Sequence, residues 1–145
     1  MNILIINGPN LNLLGIRNKQ IYGEETLEEL MMWLDMSPLG KQHDFKFYQS
    51  NHEGKIIDVI HDEIHWADGI LINPGALTHY SYSIRDAIDA SGVPAVEVHL
   101  SDIDNRQDFR KISVIKDVCI KQIKGEGKIS YLKGLEFLLK HISKD

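Results

Sequence analysis

Glu97 and His99 are the residues in this sequence best spaced for moving a proton. On a strand, positions i and i+2 project to the same face, so the carboxylate can lie against the imidazole. A carboxylate there favours the protonated ring and fixes its tautomer, which makes a general acid or base. The same spacing also builds plain structural ion pairs, so spacing alone leaves both readings open. A second pair, Arg17 and Tyr22, lies in the stretch 11–23, which has little regular pattern. Connections of that length are commonly lids over a site or disordered segments. A free tyrosine with a pKa of ~10 is ionised at about one part in a thousand at pH 7, so a tyrosinate base needs ~4 kcal/mol of stabilisation. One guanidinium at ~4 Å supplies about that at an effective dielectric of 20, before the cost of desolvation. Spacing alone favours an ordinary lid arginine and a core tyrosine. Arg106 and Arg110, four apart on a predicted short helix, could clamp a carboxylated or hydroxylated ligand or simply face solvent.

Several other chemistries are disfavoured. His61-Asp62-Glu63-Ile64-His65 has histidines at i and i+4, but aspartate stands where a zinc hydrolase has glutamate, and Ile60 and Ile64 claim the core face. These are expected to be surface histidines, with no metal. Neither G-x-x-x-x-G-K-[ST] nor a G-x-G-x-x-G after the first strand occurs, and Gly125-Glu126-Gly127 lacks the third glycine. The first strand closes in Asn-Gly-Pro-Asn, without the paired acids of a phospho-receiver domain. The one cysteine, Cys119, cannot form an intramolecular disulfide and sits among apolar residues, as expected of core rather than a nucleophile. A formal charge of −5 argues against a general nucleic-acid binder and leaves any anionic substrate to local cations. The apolar opening is too short for a signal or membrane helix, and no later run is long enough to span a bilayer. The expectation is a soluble, cytoplasmic protein.

The elements that must position these groups alternate along all 145 residues, with no repeat or linker, so one domain, 1–145, suffices. Apolar runs predict strands at 2–7, 45–49, 69–73, 94–100 and 117–123. Helical periodicity predicts a helix from an N-cap at Thr26 to Ser37-Pro38, a second through Ile56, Ile57, Ile60 and Ile64, and a third over 80–90 ended by Ser91-Gly92. A short helix over 106–111 and a last one carrying Leu135, Leu138, Leu139 and Ile142 complete the set. Strands alternating with helices imply an α/β flavodoxin-like three-layer sandwich around a five-stranded parallel sheet of order 2-1-3-4-5. Ligands of such sheets bind beyond the carboxyl ends of the strands. Here those ends carry Asn7-Gly8-Pro9-Asn10, Ser50-Asn51-His52-Glu53, Asn73-Pro74-Gly75 and His99-Leu100-Ser101. The convergence marks a site.

The block Asn7-Gly-Pro-Asn-Leu-Asn-Leu-Leu-Gly-Ile-Arg17, with Tyr22-Gly23, closely resembles the type II 3-dehydroquinate dehydratases. Gln49-Ser-Asn-His-Glu-Gly54, Ile72-Asn-Pro-Gly-Ala-Leu-Thr-His79, Val96-Glu-Val-His-Leu-Ser101 and Arg106-Gln-Asp-Phe-Arg110 continue the likeness, over roughly residues 2–113. The resemblance implies a lyase of the shikimate pathway, toward chorismate and the aromatic amino acids, that needs no cofactor. It implies Tyr22 as a tyrosinate base, Arg17 as the cation keeping it ionised, Asn10 holding a water on the enolate, and His99, oriented by Glu97, as the acid. Asn73, Leu100 and Ser101 then bind the substrate carboxylate, His79 and Arg110 its ring hydroxyls, and Asp86 reaches in from a neighbouring subunit. The family assembles trimers into dodecamers. Where it often has Glu-Pro after the arginine, this chain has Asn18-Lys19, and Lys124-Gly-Glu-Gly-Lys128 replaces a more apolar stretch. The rival from another class is a flavodoxin-like binding module without catalysis, which would need neither Tyr22 nor the Glu97/His99 pair.

Overall fold

The fold is seen in a computed structural model that describes residues 1–16 and 18–144, without the side chain of Tyr22. Arg17 and the Tyr22 side chain therefore lie outside the described residues. Five strands, β1 (Asn2–Asn7), β2 (Asp44–Gln49), β3 (Gly69–Asn73), β4 (Ala95–Val98) and β5 (Lys121–Ile123), pair in parallel in the order β2-β1-β3-β4-β5. The three-layer α/β architecture expected of the sequence is the one observed.

Strand periodicity divides the apolar side chains between two cores. Ile3, Ile5, Leu71, Val96 and Val98 face helices α2 (Leu27–Met36) and α5 (Ile129–Ile142). Leu4, Ile6, Ile70, Ile72 and Ala95 face α3 (Glu53–Asp62) and α4 (Tyr82–Ser91). β1 and β3 are apolar at successive positions because a central parallel strand is buried on both faces. Helix α2 begins where its chemistry says it should: the Thr26 hydroxyl accepts from the Glu29 backbone N–H at 3.2 Å, with Glu28 and Glu29 in the first turn. In α4 the Ser81 hydroxyl accepts from Ile84 N at 3.1 Å, and Gly92 closes the helix at φ 68°.

The structure departs from the sequence-based expectation at several ends. The stretch after β1 carries more regular structure than expected: a 3-10 turn at Leu11–Leu13 and a one-turn helix α1 at Lys19–Tyr22. Lys19 is the first residue of α1, a helical position that accepts proline. α3 stops at Asp62, so Ile64 is only half-buried and His65 lies in the following turn; His61 and His65 do not share a helical face. The helix expected over 80–90 starts two residues later, after a 3-10 segment at Gly75–His79. β4 ends at Val98, not at Leu100, because its partner β5 is three residues long. The expected helix over 106–111 is instead a 3-10 turn at Ile103–Asn105 and another at Asp108–Lys111, with Arg106 extended between them. Cys119 is not mid-strand: it caps a 3-10 turn at Lys116–Val118, and burial, then the Glu97 charge, push its thiol up to about 12.

The loops that build the site meet at Gly8. A Cβ there would lie 2.5 Å from the Pro74 carbonyl oxygen and 2.6 Å from its carbon, and backbone cannot swing aside as a side chain can. The Gly8 N–H also donates to Asn73 O at 2.7 Å, which locks the two turns together. Gly8→Ala should therefore lower stability by ~1–3 kcal/mol, the usual cost of overpacking. Denaturant titration would show it as an earlier midpoint with the slope unchanged, and a midpoint equal to the parent's would refute it.

Candidate active site

Beyond the carboxyl ends of β1, β3 and β4 lies a cleft. Of the residues singled out from sequence, Asn10, Asn73, His79, His99, Leu100, Ser101 and Arg110 line it together, and Arg106 joins them. The two arginines meet the same cleft although they share no helix. Asp86 does not line the cleft of its own chain; it is exposed on α4.

Each wall has a local cause. Asn10 adopts φ 69°, the only non-glycine residue with positive φ among those described, in the left-handed region that asparagine tolerates better than most. Its N–H donates to the Asn51 side-chain oxygen at 3.0 Å, and the Gln49 amide donates to Gly8 O at 3.1 Å. The end of β2 thus braces the turn after β1. Asn73 is buried and tied on both sides of its amide: its oxygen accepts from Gly75 N at 3.1 Å, and its nitrogen donates to the Tyr131 hydroxyl at 2.9 Å. Tyr131, fully buried in α5, donates in turn to Asn7 Oδ1 at 2.6 Å. Burial pushes the Tyr131 phenol upward, against the smaller effect of Asn73, so it stays a neutral donor.

The two histidines face the cleft with different electrostatics. His79 Nδ1 lies 2.6 Å from Ile112 O, and since a carbonyl can only accept, that nitrogen carries a proton. Burial, then the facing charges of His99 and Arg110, lower the His79 pKa despite the Ile112 bond and the Glu97 charge. A neutral His79 leaves Nε2 as an acceptor, suited to a ligand hydroxyl. His99 Nε2 lies 2.5 Å from Glu97 Oε2, on a carboxylate with no exposed surface. Burial raises the Glu97 pKa, but the His99 hydrogen bond and charge and the Thr78 and Ser113 hydroxyls outweigh it, and the carboxyl titrates below its usual range. Glu97 is therefore the acceptor, Nε2 the donor, and Nδ1 the ring nitrogen left for exchange.

Sequence reasoning missed three of these side chains. Tyr131 was hidden in an apolar helical stripe, although a tyrosine there needs a hydrogen-bond partner, which is a signal that could have been used. Thr78 and Ser113 touch Glu97 across 19 and 16 residues, which no local pattern encodes.

A flavodoxin-like sheet carrying a buried carboxylate–imidazole contact under a cleft walled by guanidinium groups and amides is the class of α/β protein that could move a proton on a bound ligand. Within that class, the chain belongs to the dehydroquinase class II family, whose profile matches residues 1–139. The likeness thus runs well past residue 113, through β5 and most of α5. The 3-dehydroquinate dehydratase of Caldicellulosiruptor saccharolyticus is 52% identical over 141 residues, 97% of each chain. That of Carboxydothermus hydrogenoformans is 50% identical over 144 residues, 99% of this chain and 94% of the relative. The crystal structure of type II dehydroquinase from Butyrivibrio crossotus superposes with a TM-score of 0.92 at 49% identity, covering 96% of this chain and 97% of that one. No helix among the described residues is long and apolar enough to cross a membrane.

Proposed function

We propose that this enzyme is a 3-dehydroquinate dehydratase that eliminates water through an enolate, giving 3-dehydroshikimate. The observation that carries the mechanism is the fully buried Glu97 carboxylate set 2.5 Å behind His99, with His99 open to the cleft. Tyr22, ionised under the influence of Arg17, removes the proton from the carbon alpha to the ketone, and the C–H electrons move onto the carbonyl oxygen. A water held by Asn10 stabilises that enolate oxygen. The electrons then return to re-form the ketone, the ring double bond forms, and the carbon–oxygen bond of the leaving hydroxyl breaks. His99 supplies the proton that turns the hydroxide, a poor leaving group, into water. Asn73 with Leu100 and Ser101 holds the substrate carboxylate. The neutral His79 and Arg110 hold the ring hydroxyls.

Mixing the purified protein with 3-dehydroquinate should produce the rising ultraviolet absorbance of a conjugated enone. Silence at any protein concentration would overturn the reading in favour of a binding module. The reading places the enzyme in the cytoplasm and has the chemistry proceed without metal, nucleotide or Schiff base.

The assembly proposed is a dodecamer of trimers, with Asp86 completing a neighbour's site. Exposure of Asp86 on α4, away from its own cleft, supports this. Two inactive variants, Asp86→Ala and His99→Ala, should then complement each other. Dissociated and reassembled together, they form some sites with an intact set of residues, and part of the activity returns. Mixtures that stay as inactive as either parent would contradict the shared site.

A further inference from the structure

A carboxylate with no solvent access is costly as an anion unless donors surround it. Around Glu97 two of the donors are hydroxyls from distant segments. Thr78 Oγ1, fully buried, donates to Glu97 Oε2 at 2.5 Å, and Ser113 Oγ donates to Oε1 at 2.8 Å and approaches Oε2 at 3.0 Å. The Ser113 oxygen accepts from Lys116 N at 3.1 Å, which directs its own single proton elsewhere. The two hydroxyl oxygens are 2.9 Å apart, and Val114 N donates to Thr78 O at 2.7 Å, so the segments are stitched to each other as well as to the carboxylate. Oε2 is shared between Thr78 and His99 Nε2. The carboxylate is thus held at both oxygens, with the ring on one of them.

We propose that Thr78 and Ser113 are positioning residues for proton delivery by His99. Their hydroxyls hold Glu97 as a carboxylate in one orientation; the ring then keeps its Nε2 proton on Glu97 and turns Nδ1 to the cleft as the exchanging atom. Neither residue touches substrate; both act through Glu97. Without one of these hydroxyls the buried carboxylate compensates by taking the Nε2 proton, leaving a neutral acid beside a neutral imidazole. Nδ1 then loses the acidity of an imidazolium, and departure of the hydroxyl slows. The kinetic side of this proposal rests on the dehydratase reading above; the protonation of the pair does not.

The experiment compares Thr78→Val, Ser113→Ala and Thr78→Ser with the parent, by steady-state kinetics and by 15N NMR of the histidine rings. Thr78→Val and Ser113→Ala should each lower kcat on the order of tenfold to a hundredfold, as for a lost hydrogen bond to a charged group, with KM nearly unchanged. Thr78→Ser, which restores a hydroxyl, should recover most of the loss. In the parent the His99 Nε2 resonance should be that of a protonated nitrogen; in the two slow variants it should move toward the acceptor value. Unchanged Nε2 resonances in both variants, or a Thr78→Ser protein as slow as Thr78→Val, would overturn the proposal. If the valine variant fails to fold, Ser113→Ala, at a half-exposed position, decides it. A parent without turnover would sink the dehydratase reading, and the nitrogen resonances would still decide this one.

Discussion

Replacing Tyr22 with phenylalanine is expected to lower kcat by ~10²–10⁴, the range for loss of a general base, with KM much less affected. The chemistry requires a base near the substrate's alpha carbon, and the described cleft is short of candidates. Its lining contains no carboxylate, tyrosine or cysteine, and only two side chains that could accept a proton, His79 and His99. His99 is committed through Nε2 to Glu97, in the geometry of an acid. Held by Ile112, His79 is neutral but weakened as a base by burial and by facing positive charge. The proposed base is Tyr22, in the stretch after β1. Phenylalanine keeps the ring and removes only the oxygen. Steady-state rates on 3-dehydroquinate would decide, and near-parental turnover in the phenylalanine variant would remove Tyr22 from this role.

Glu97→Gln should be nearly as damaging, again by ~10²–10⁴ in kcat. Three donors converge on Glu97: His99 Nε2, Thr78 and Ser113. An amide offers one accepting oxygen, and its NH2 would face at least one of those donors head-on. If the amide NH2 meets His99, the ring gives up its Nε2 proton so that Nε2 can accept, and it stays a neutral imidazole rather than the imidazolium the proposed elimination needs. A donor left unsatisfied in a fully buried setting costs ~1–3 kcal/mol, so the variant should also unfold at lower denaturant. Activity normalised to the folded fraction separates the two effects. A glutamine variant with parental kcat per folded molecule would show that the charge at Glu97 is not used.

The parts of this molecule that could be read from sequence are those encoded over short distances. β1 and β3 were bounded to the residue because each is an apolar run stopped by Asn followed by Gly-Pro or Pro-Gly. The N-cap of α2 was equally plain: Thr26 stands just before the apolar period begins, and its hydroxyl accepts from Glu29 N. β4 was overextended at both ends and β5 at its start, because apolar residues such as Leu100, Val118 and Ile120 lie beyond the residues that pair. The Arg106/Arg110 spacing looked helical, but Gln107, at φ −56° and ψ 150°, interrupts it. At the site, the polar strand ends mark the cleft, and Glu97-Val98-His99 marks the carboxylate–imidazole contact beneath it. The residues beneath that pair could not be found this way, because Thr78 and Ser113 reach Glu97 only once β3, β4 and the segment after Arg110 are folded together.

The tie from Tyr131 to Asn7 and Asn73 bears on how the enzyme comes into being on a ribosome. Every described residue lining the cleft has been synthesised by Arg110, yet the hydroxyl bridging the ends of β1 and β3 arrives with α5, more than a hundred residues after Asn7. Until that helix docks, two buried amides lack their shared partner, and one face of the sheet is bare of Leu135, Leu138 and Leu139. A nascent chain therefore carries the residues of the cleft before it carries the hydroxyl that ties Asn7 to Asn73. A chain shortened before α5 would hold every described residue of the cleft and lack the tie between the two strand ends that frame it.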